Sequence, residues 1–201
     1  MNFKKNRSRF LLVFATLTLL FSSVLLTSCQ GKKIKNTVFS VDDLAGKTIG
    51  VQLGTTGDTL VSDYETDGSG TTVSRYNKGS DAIQALKQGK ADAVVIDEQP
   101  ALAFVKANPD LTILEEEFAN EDYAICVAKG NSLTAKLNEA IEVLMADGTI
   151  QKLIDDYVGD NATFSGYKSP DGISRTNGTL VMATNAYFKP YEYYEGGSII
   201  G

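Results

Sequence analysis

The 201-residue sequence contains no histidine, and this absence removes whole classes of active site. Serine–histidine and cysteine–histidine catalysis both depend on an imidazole group, as do the metal sites that histidine ligates. These histidine-dependent classes of site are therefore excluded, and we expect no metal ion and no cofactor.

Positive charge is also in short supply. Nineteen lysines and arginines stand against 25 acidic residues, which gives a formal net charge of −6. The first 28 residues carry four of the positive charges and no acid, so their removal would take the net charge to −10. Acidity of this size opposes nucleic-acid binding, because the phosphate backbone would be repelled.

Only two cysteines are present, and the first follows an export pattern. A basic start and the apolar run 10–26 precede Cys29, which ends the order Leu-Thr-Ser-Cys typical of a lipobox. Residues 1–28 are therefore predicted to be a lipoprotein signal peptide, Cys29 the lipid attachment site and residues 29–37 a tether. This predicts an extracytoplasmic protein that is lipid-anchored to the cell membrane. The alternative is a retained membrane helix, although the apolar run is shorter than the about 20 residues of a comfortable span.

The second cysteine, Cys126, lies in the apolar run Tyr123–Ala128. It has no partner for a disulfide once Cys29 carries lipid. We interpret its thiol as a small hydrophobic group on a buried strand rather than as a nucleophile.

The stretch Lys47–Leu60 is expected to organise the fold. A β-branched run leads through Gly54 into a segment that can begin a helix, and glycine supplies the positive φ angle that such a turn needs. Thr55 and Thr56 contribute hydroxyls and unpaired backbone N–H groups, with Gln52 flanking them. Because a helix N-terminus carries partial positive charge, the loop is a candidate socket for a carboxylate. A plain strand-to-helix connection with a threonine cap fits the same residues.

After this loop, predicted strands and helices alternate along the chain. The segments are a strand at Thr48–Val51, a helix at Asp58–Tyr64, a strand at Thr71–Tyr76, a helix from Ser80 to Gly89, a strand at Ala93–Ile96 and a helix through Ala107. This rhythm is typical of an α/β fold with a doubly wound, mainly parallel sheet.

In such sheets ligands bind beyond the carboxyl ends of the strands. The threonine loop leaves one strand end and Asp97 leaves another. A helix N-terminus for a carboxylate and an acid for an ammonium group together form the minimum recognition set for an α-amino acid. Asp97 could instead serve only as the N-cap of the helix that follows it.

The remainder of the chain is less regular. The pattern predicts strands at Leu111–Glu116 and Tyr123–Ala128, amphipathic helices over 133–146 and 150–157, a linker over 159–178, a strand at Leu180–Thr184 and an aromatic-rich hairpin that ends in a strand at Ser198–Gly201. The two helices are expected to cover an apolar surface.

Three sequences carry a resemblance to a known family: VDDLAGKTIGVQLGTTGD, NKGSDAIQALKQGKADAVVIDEQPALAF and EDYAICVAKGNSLTAKLNEAIEVLMADGTIQKLIDDYVG. They resemble the extracellular amino-acid-binding proteins of ABC importers, whose two lobes close over the ligand. The resemblance implies a type II periplasmic-binding-protein-like lobe over residues 38–158, with the two helices at its carboxyl end. In that family the loop residues that match Gly54, Thr55 and Thr56 hold the ligand carboxylate, and the acid that matches Asp97 holds the ammonium group.

The order of segments departs from the family. The sequence LVMATNAYFKPYEYYEGGSIIG resembles the opening of the first lobe, yet here it comes last, so residues 179–201 are predicted to be a truncated first lobe in an incomplete two-lobe architecture. By the same resemblance Asn185 and Phe188 would face the ligand. No residue matches the arginine with which the family clamps the carboxylate, because Arg75 and Arg175 lie elsewhere. A tandem remnant, a truncated frame and a circular rearrangement all fit this order.

The resemblance implies a lipid-anchored solute-binding component, not an enzyme, that captures a small amino acid and presents it to an ABC transporter permease. Two alternatives belong to other classes. Dehydratases of arogenate or prephenate resemble these binding proteins, and an extracellular sensor domain would use the same lobes.

Overall fold

A computed structural model describes residues 35–158, 162–163 and 165–201. The predicted signal peptide, Cys29 and most of the tether lie outside the described residues. Asn36–Gly201 form one compact unit. Within the described ranges no helix is long and apolar enough to cross a membrane.

The unit contains five helices and six strands among its described residues. The helices are α1 (Thr56–Val61), α2 (Gly79–Lys87), α3 (Glu98–Ala107), α4 (Leu133–Ala146) and α5 (Thr149–Tyr157). The strands are β1 (Thr48–Gln52), β2 (Thr72–Tyr76), β3 (Ala93–Val95), β4 (Tyr187–Phe188), β5 (Glu192–Glu195) and β6 (Ser198–Ile200). Two 3-10 turns are also present, Val41–Leu44 before β1 and Ser62–Glu65 directly after α1.

A parallel sheet in the order β2-β1-β3 carries the predicted loop and acid. On one face, Ile49 and Val51 of the central strand are fully buried, which stabilises the fold by about 1.5–3 kcal/mol for each side chain. Their cluster includes Val61 of α1. On the other face, a Cβ at Gly50 would lie 3.5 Å from the Cβ of Ala82 in α2. The two helices therefore cover opposite faces, as a doubly wound sheet requires.

The predicted strands at Leu111–Glu116 and Tyr123–Ala128 are wrong, because neither segment forms a strand. A strand needs a paired neighbour to complete its hydrogen bonds, and neither segment pairs with an edge of the described sheet β2-β1-β3. Ile125 is 61% exposed. Cys126 is also exposed, so its predicted burial on a strand is wrong as well.

Both amphipathic helices form where the apolar spacing predicts them, as α4 and α5. Gly148, with φ of +79°, makes the turn between the two helices and lets them contact each other. Their expected covering role is not observed, since of the described residues in these two helices none is buried. An apolar stripe predicts a helix well, but it does not say which surface the helix will meet.

The carboxyl-terminal part forms a separate antiparallel sheet, β4-β5-β6, with a tight turn at Gly196–Gly197. The strand predicted at Leu180–Thr184 is wrong, and Val181 is 86% exposed. The strand predicted at the end of the chain does form, as β6. The described residues between α5 and β4 contain neither helix nor strand.

Candidate functional site

The threonine loop is held by hydrogen bonds of its own residues. Gly54 adopts a φ of +78°, and its N–H donates to Oδ2 of Asp58 at 2.9 Å. Thr55 is the N-cap of α1: its Oγ1 accepts from the N–H of Asp58 at 3.3 Å and donates to the carbonyl of Gln52 at 2.9 Å. Thr56 and Gly57 open the helix, so their N–H groups have no acceptor within it.

The start of α1 packs closely against the end of β3. A Cβ at Gly57 would lie 3.3 Å from both the carbonyl oxygen and Cγ1 of Val95. Val51 and Val95 are register partners in the parallel pair of β1 and β3. Asp97 follows Val95 by two residues just as the loop follows Val51. The structure therefore brings the loop and Asp97 to neighbouring strand ends, as the sequence predicts.

Asp97 occupies the N-cap position of α3, but its side chain makes no capping hydrogen bond. Its Oδ2 instead accepts from the hydroxyl of Tyr123. The acid is therefore engaged by Tyr123 and not by the start of its own helix. This geometry disfavours the interpretation of Asp97 as a cap alone.

Tyr123 carries its hydroxyl into the site although the residue as a whole is 62% exposed. Burial of the hydroxyl end and the hydrogen bond to the Asp97 carboxylate raise the pKa of Tyr123. The phenol thus stays protonated and serves as a donor to the acid across the physiological pH range.

Glu121 joins the threonine loop to the acid. A side-chain hydrogen bond with Thr56 lowers the pKa of Glu121, but burial and the neighbouring Asp97 carboxylate together raise it. Two acids therefore share this edge of the sheet. Sequence reasoning missed both Glu121 and Tyr123, although their spacing of two residues is the repeat that places side chains on one side of an extended segment.

The aromatic hairpin reaches the same acid through ring contacts. The rings of Tyr191 and Tyr123 have centroids 5.1 Å apart, and Phe188 stacks on Tyr191 at 5.9 Å. Burial raises the pKa of Tyr191, and so do the carboxylates of the site. Lys78 lies over the ring of Tyr187 at 4.0 Å from its centroid. The rings of Tyr191 and Tyr123 thus connect Phe188 to Asp97.

Two of the predicted site residues have local partners instead. Asn185 is exposed, and its Oδ1 accepts from the N–H of Tyr187 at 3.1 Å. Gln52 is only 3% exposed, and its Oε1 accepts from the N–H of Gly79 at 3.1 Å. Gln52 therefore joins β1 to the start of α2. Direct ligand contacts by these residues remain predictions, as they do for the loop and Asp97.

Arg75 of β2 forms ion pairs with two acids next to the loop. Its Nε donates to Oδ1 of Asp58 and its Nη2 to Oε2 of Glu65, both at 2.7 Å. The hydrogen bond to Glu65 is the main influence that raises the pKa of Arg75. In the part of the chain that the structure describes, no group of His, Cys, Asp and Glu residues could hold a metal ion.

No protein-family model matches the chain. Its relatives among curated proteins are amino-acid-binding proteins. The L-cystine-binding protein TcyJ of Escherichia coli (strain K12) is 33% identical over 135 residues, which cover 64% of this chain and 48% of TcyJ. The arginine-binding extracellular protein ArtP of Bacillus subtilis (strain 168) is 33% identical over 117 residues, 57% of this chain and 46% of ArtP. The chain spans about half the length of the curated relatives it matches.

Solved structures give the same result. An ancestral arginine-binding protein bound to arginine is 43% identical with a TM-score of 0.56, covering 64% of this chain and 57% of that one. The substrate binding protein of an amino acid ABC transporter is 33% identical with a TM-score of 0.53, covering 61% and 55%. The predicted fold class is confirmed: an α/β fold with a parallel sheet, shared with periplasmic amino-acid-binding proteins, which extend beyond the part matched here.

Proposed function

We propose that this chain is the solute-binding component of an amino-acid ABC transporter and binds a small amino acid outside the membrane. The observation that carries the proposal is the register of Val51 with Val95, which sets the threonine loop beside Asp97. A site with hydrogen-bond donors on one side and an acid on the other matches the two charged groups that all free α-amino acids share.

The ligand carboxylate would accept from the N–H groups of Thr56 and Gly57, and from the hydroxyl of Thr56 in place of its bond with Glu121. Its ammonium group would donate to Asp97, in exchange for or beside the hydroxyl of Tyr123. Glu121, which neighbours both Thr56 and Asp97, adds a second acid between the two sides of the site. The relatives' names point to L-arginine and L-cystine as the first ligands to test.

Titration calorimetry with L-arginine, L-cystine and the other common amino acids tests the binding function. Asp97→Asn should weaken binding of the ligand found by about tenfold or more, because it removes a charge-assisted hydrogen bond worth about 1.5–3 kcal/mol. Asp155→Asn is the matched control: it makes the same change on α5, where the side chain bonds only with Gln151 among the described residues. Equal affinity of both variants would contradict the proposed role of Asp97.

Attachment to the membrane through lipid on Cys29, and delivery of the ligand to a permease, belong to the same proposal. Cells that make the full chain can be labelled with a fatty-acid analogue. Label should be lost in Cys29→Ser and kept in Cys126→Ser. A labelled Cys29→Ser chain, or a chain that keeps residues 1–28, would contradict lipid attachment at Cys29.

A further inference from the structure

Asp58 lies behind the threonine loop with both carboxylate oxygens engaged. Oδ2 accepts from the N–H of Gly54 at 2.9 Å, and Oδ1 accepts from Nε of Arg75 at 2.7 Å. Only 10% of the Asp58 side chain is exposed. The N–H of the same residue donates to Oγ1 of Thr55. One buried residue therefore fixes the two positions that precede α1.

Arg75 is itself held from a second direction. Its Nη2 donates to Oε2 of Glu65 and to Oγ of Ser62, each at 2.7 Å, and the Ser62 hydroxyl donates to the carbonyl of Asp58 at 2.7 Å. The backbone of Arg75 is paired with Val51 in the sheet. The guanidinium position is thus set by β2, by α1 and by the 3-10 turn that follows it.

We propose that Asp58 and Arg75 are positioning residues, which orient the free backbone N–H groups of the threonine loop toward an anionic ligand. The inference rests on the proposed binding function of this loop. Asp58 takes up the N–H of Gly54, so that the next free donors in the chain, at Thr56 and Gly57, are the ones presented to the ligand carboxylate.

Arg75 has a second task in this arrangement, because the carboxylate of Asp58 lies only two residues from Thr56. An unneutralised negative charge there would repel a ligand carboxylate, whereas the bound guanidinium cancels it. Loss of Arg75 should therefore penalise anionic groups specifically. A ligand that lacks the carboxylate should be affected much less.

The first experiment needs no ligand and measures amide hydrogen exchange by NMR. In Asp58→Ala the Gly54 amide should exchange about tenfold faster or more, since its acceptor is gone, while the amides of Ile49 and Val51 in β1 keep their rates. If Asp58→Ala does not fold, Asp58→Leu is measured instead, because leucine branches at Cγ as aspartate does but offers no hydrogen-bond acceptor. Unchanged protection of Gly54 in a folded variant would overturn the proposal.

The second experiment compares L-arginine with agmatine, which is arginine without the α-carboxylate. In Arg75→Gln the affinity for L-arginine should fall roughly tenfold, the effect of one uncompensated charge at this range, and the affinity for agmatine should change less than about twofold. Arg75→Lys keeps the positive charge, so its affinity for L-arginine relative to agmatine should return most of the way to that of the unaltered chain. Arg175→Gln is the control for the change in net charge alone, because Arg175 is exposed in the irregular stretch between α5 and β4.

The two experiments separate the positioning role from the binding function. Equal losses for L-arginine and agmatine would mean that Arg75 only stabilises the fold, and the proposal would be wrong. If neither ligand binds the unaltered chain, the assignment of this ligand fails, while the exchange rate of Gly54 still decides whether Asp58 positions the loop.

Discussion

Replacement of Gln52 by leucine distinguishes a structural role of this side chain from the ligand contact that the sequence predicts. The Oε1 of Gln52 accepts from the N–H of Gly79 at the start of α2, and both residues are buried. A Cβ placed on Gly79 would lie 2.8 Å from Cδ1 of Ile96 and 3.4 Å from Oε1 of Gln52. Such close packing leaves no room for a water molecule to replace the amide oxygen.

Leucine nearly preserves the volume of glutamine but offers no acceptor, so Gln52→Leu isolates the hydrogen bond. A buried N–H without a partner costs about 1–3 kcal/mol, and we expect the free energy of unfolding to fall by that amount. For a unit of this size each kcal/mol corresponds to a shift of about 2–4 °C in Tm. Urea unfolding followed by circular dichroism measures the change in free energy, and a thermal scan measures the shift.

Gln88→Leu is the matched control, because Gln88 is exposed at the end of α2 and its replacement should change the stability by less than about 0.5 kcal/mol. Ligand affinity measured on the same samples completes the test. If Gln52→Leu unfolds like the unaltered chain yet loses affinity for its amino acid, the side chain acts on the ligand. In that case the structural role argued from the Gly79 contact would be refuted.

Three further predictions follow from single contacts. Gly57→Ala should weaken amino-acid binding, because the new Cβ would meet the carbonyl of Val95 at 3.3 Å and displace the start of α1; unchanged affinity would contradict this. The hydrogen bond from Arg75 lowers the pKa of Glu65, so the stability it contributes should be present above the ordinary pKa of about 4.5 and lost as the pH falls through the lowered value. In Glu65→Gln the free energy of unfolding, measured with urea, should depend less on pH below about 4.5. An unaltered pH dependence would contradict the stabilising role of the Glu65 carboxylate. Cys126 should react with a thiol reagent in the native protein, whereas protection until unfolding would restore the buried position expected from the sequence.

The part of the fold that sequence reasoning predicted well is built from local signals. The strand, loop and helix that run from Thr48 to Val61 follow from β-branched residues, a glycine with positive φ and a threonine cap. The apolar strand that ends before Asp97 is equally local. Because parallel strands end at a common edge, the alternation of elements predicted that the loop and Asp97 lie at the same edge, whereas the direct pairing of β1 with β3 is seen only in the structure.

The predictions that failed depended on partners that a local pattern cannot identify. Tyr123–Ala128 has the composition of a strand, but a strand exists only where it pairs with another strand, and this segment pairs with neither edge of the described sheet. The periodicity of α4 and α5 likewise predicted two helices and left their partner undefined. Composition sets which conformation is favourable, and tertiary contacts decide whether it is realised.

The two sides of the candidate site also differ in how far apart in the sequence their contacting residues lie. The anion side is assembled within a few residues, from Gln52 to Asp58, and one additional side chain, Arg75, secures it. The acidic side requires Tyr123 to reach Asp97 across 26 residues of chain, which adds the conformational entropy of closing a long loop. Perturbations that loosen the segment after α3 should therefore release Asp97 from its tyrosine before they disturb the threonine loop. If the proposed function is right, a site built in this way has its carboxylate socket preformed, while its contact with the ammonium group depends on residues much later in the chain.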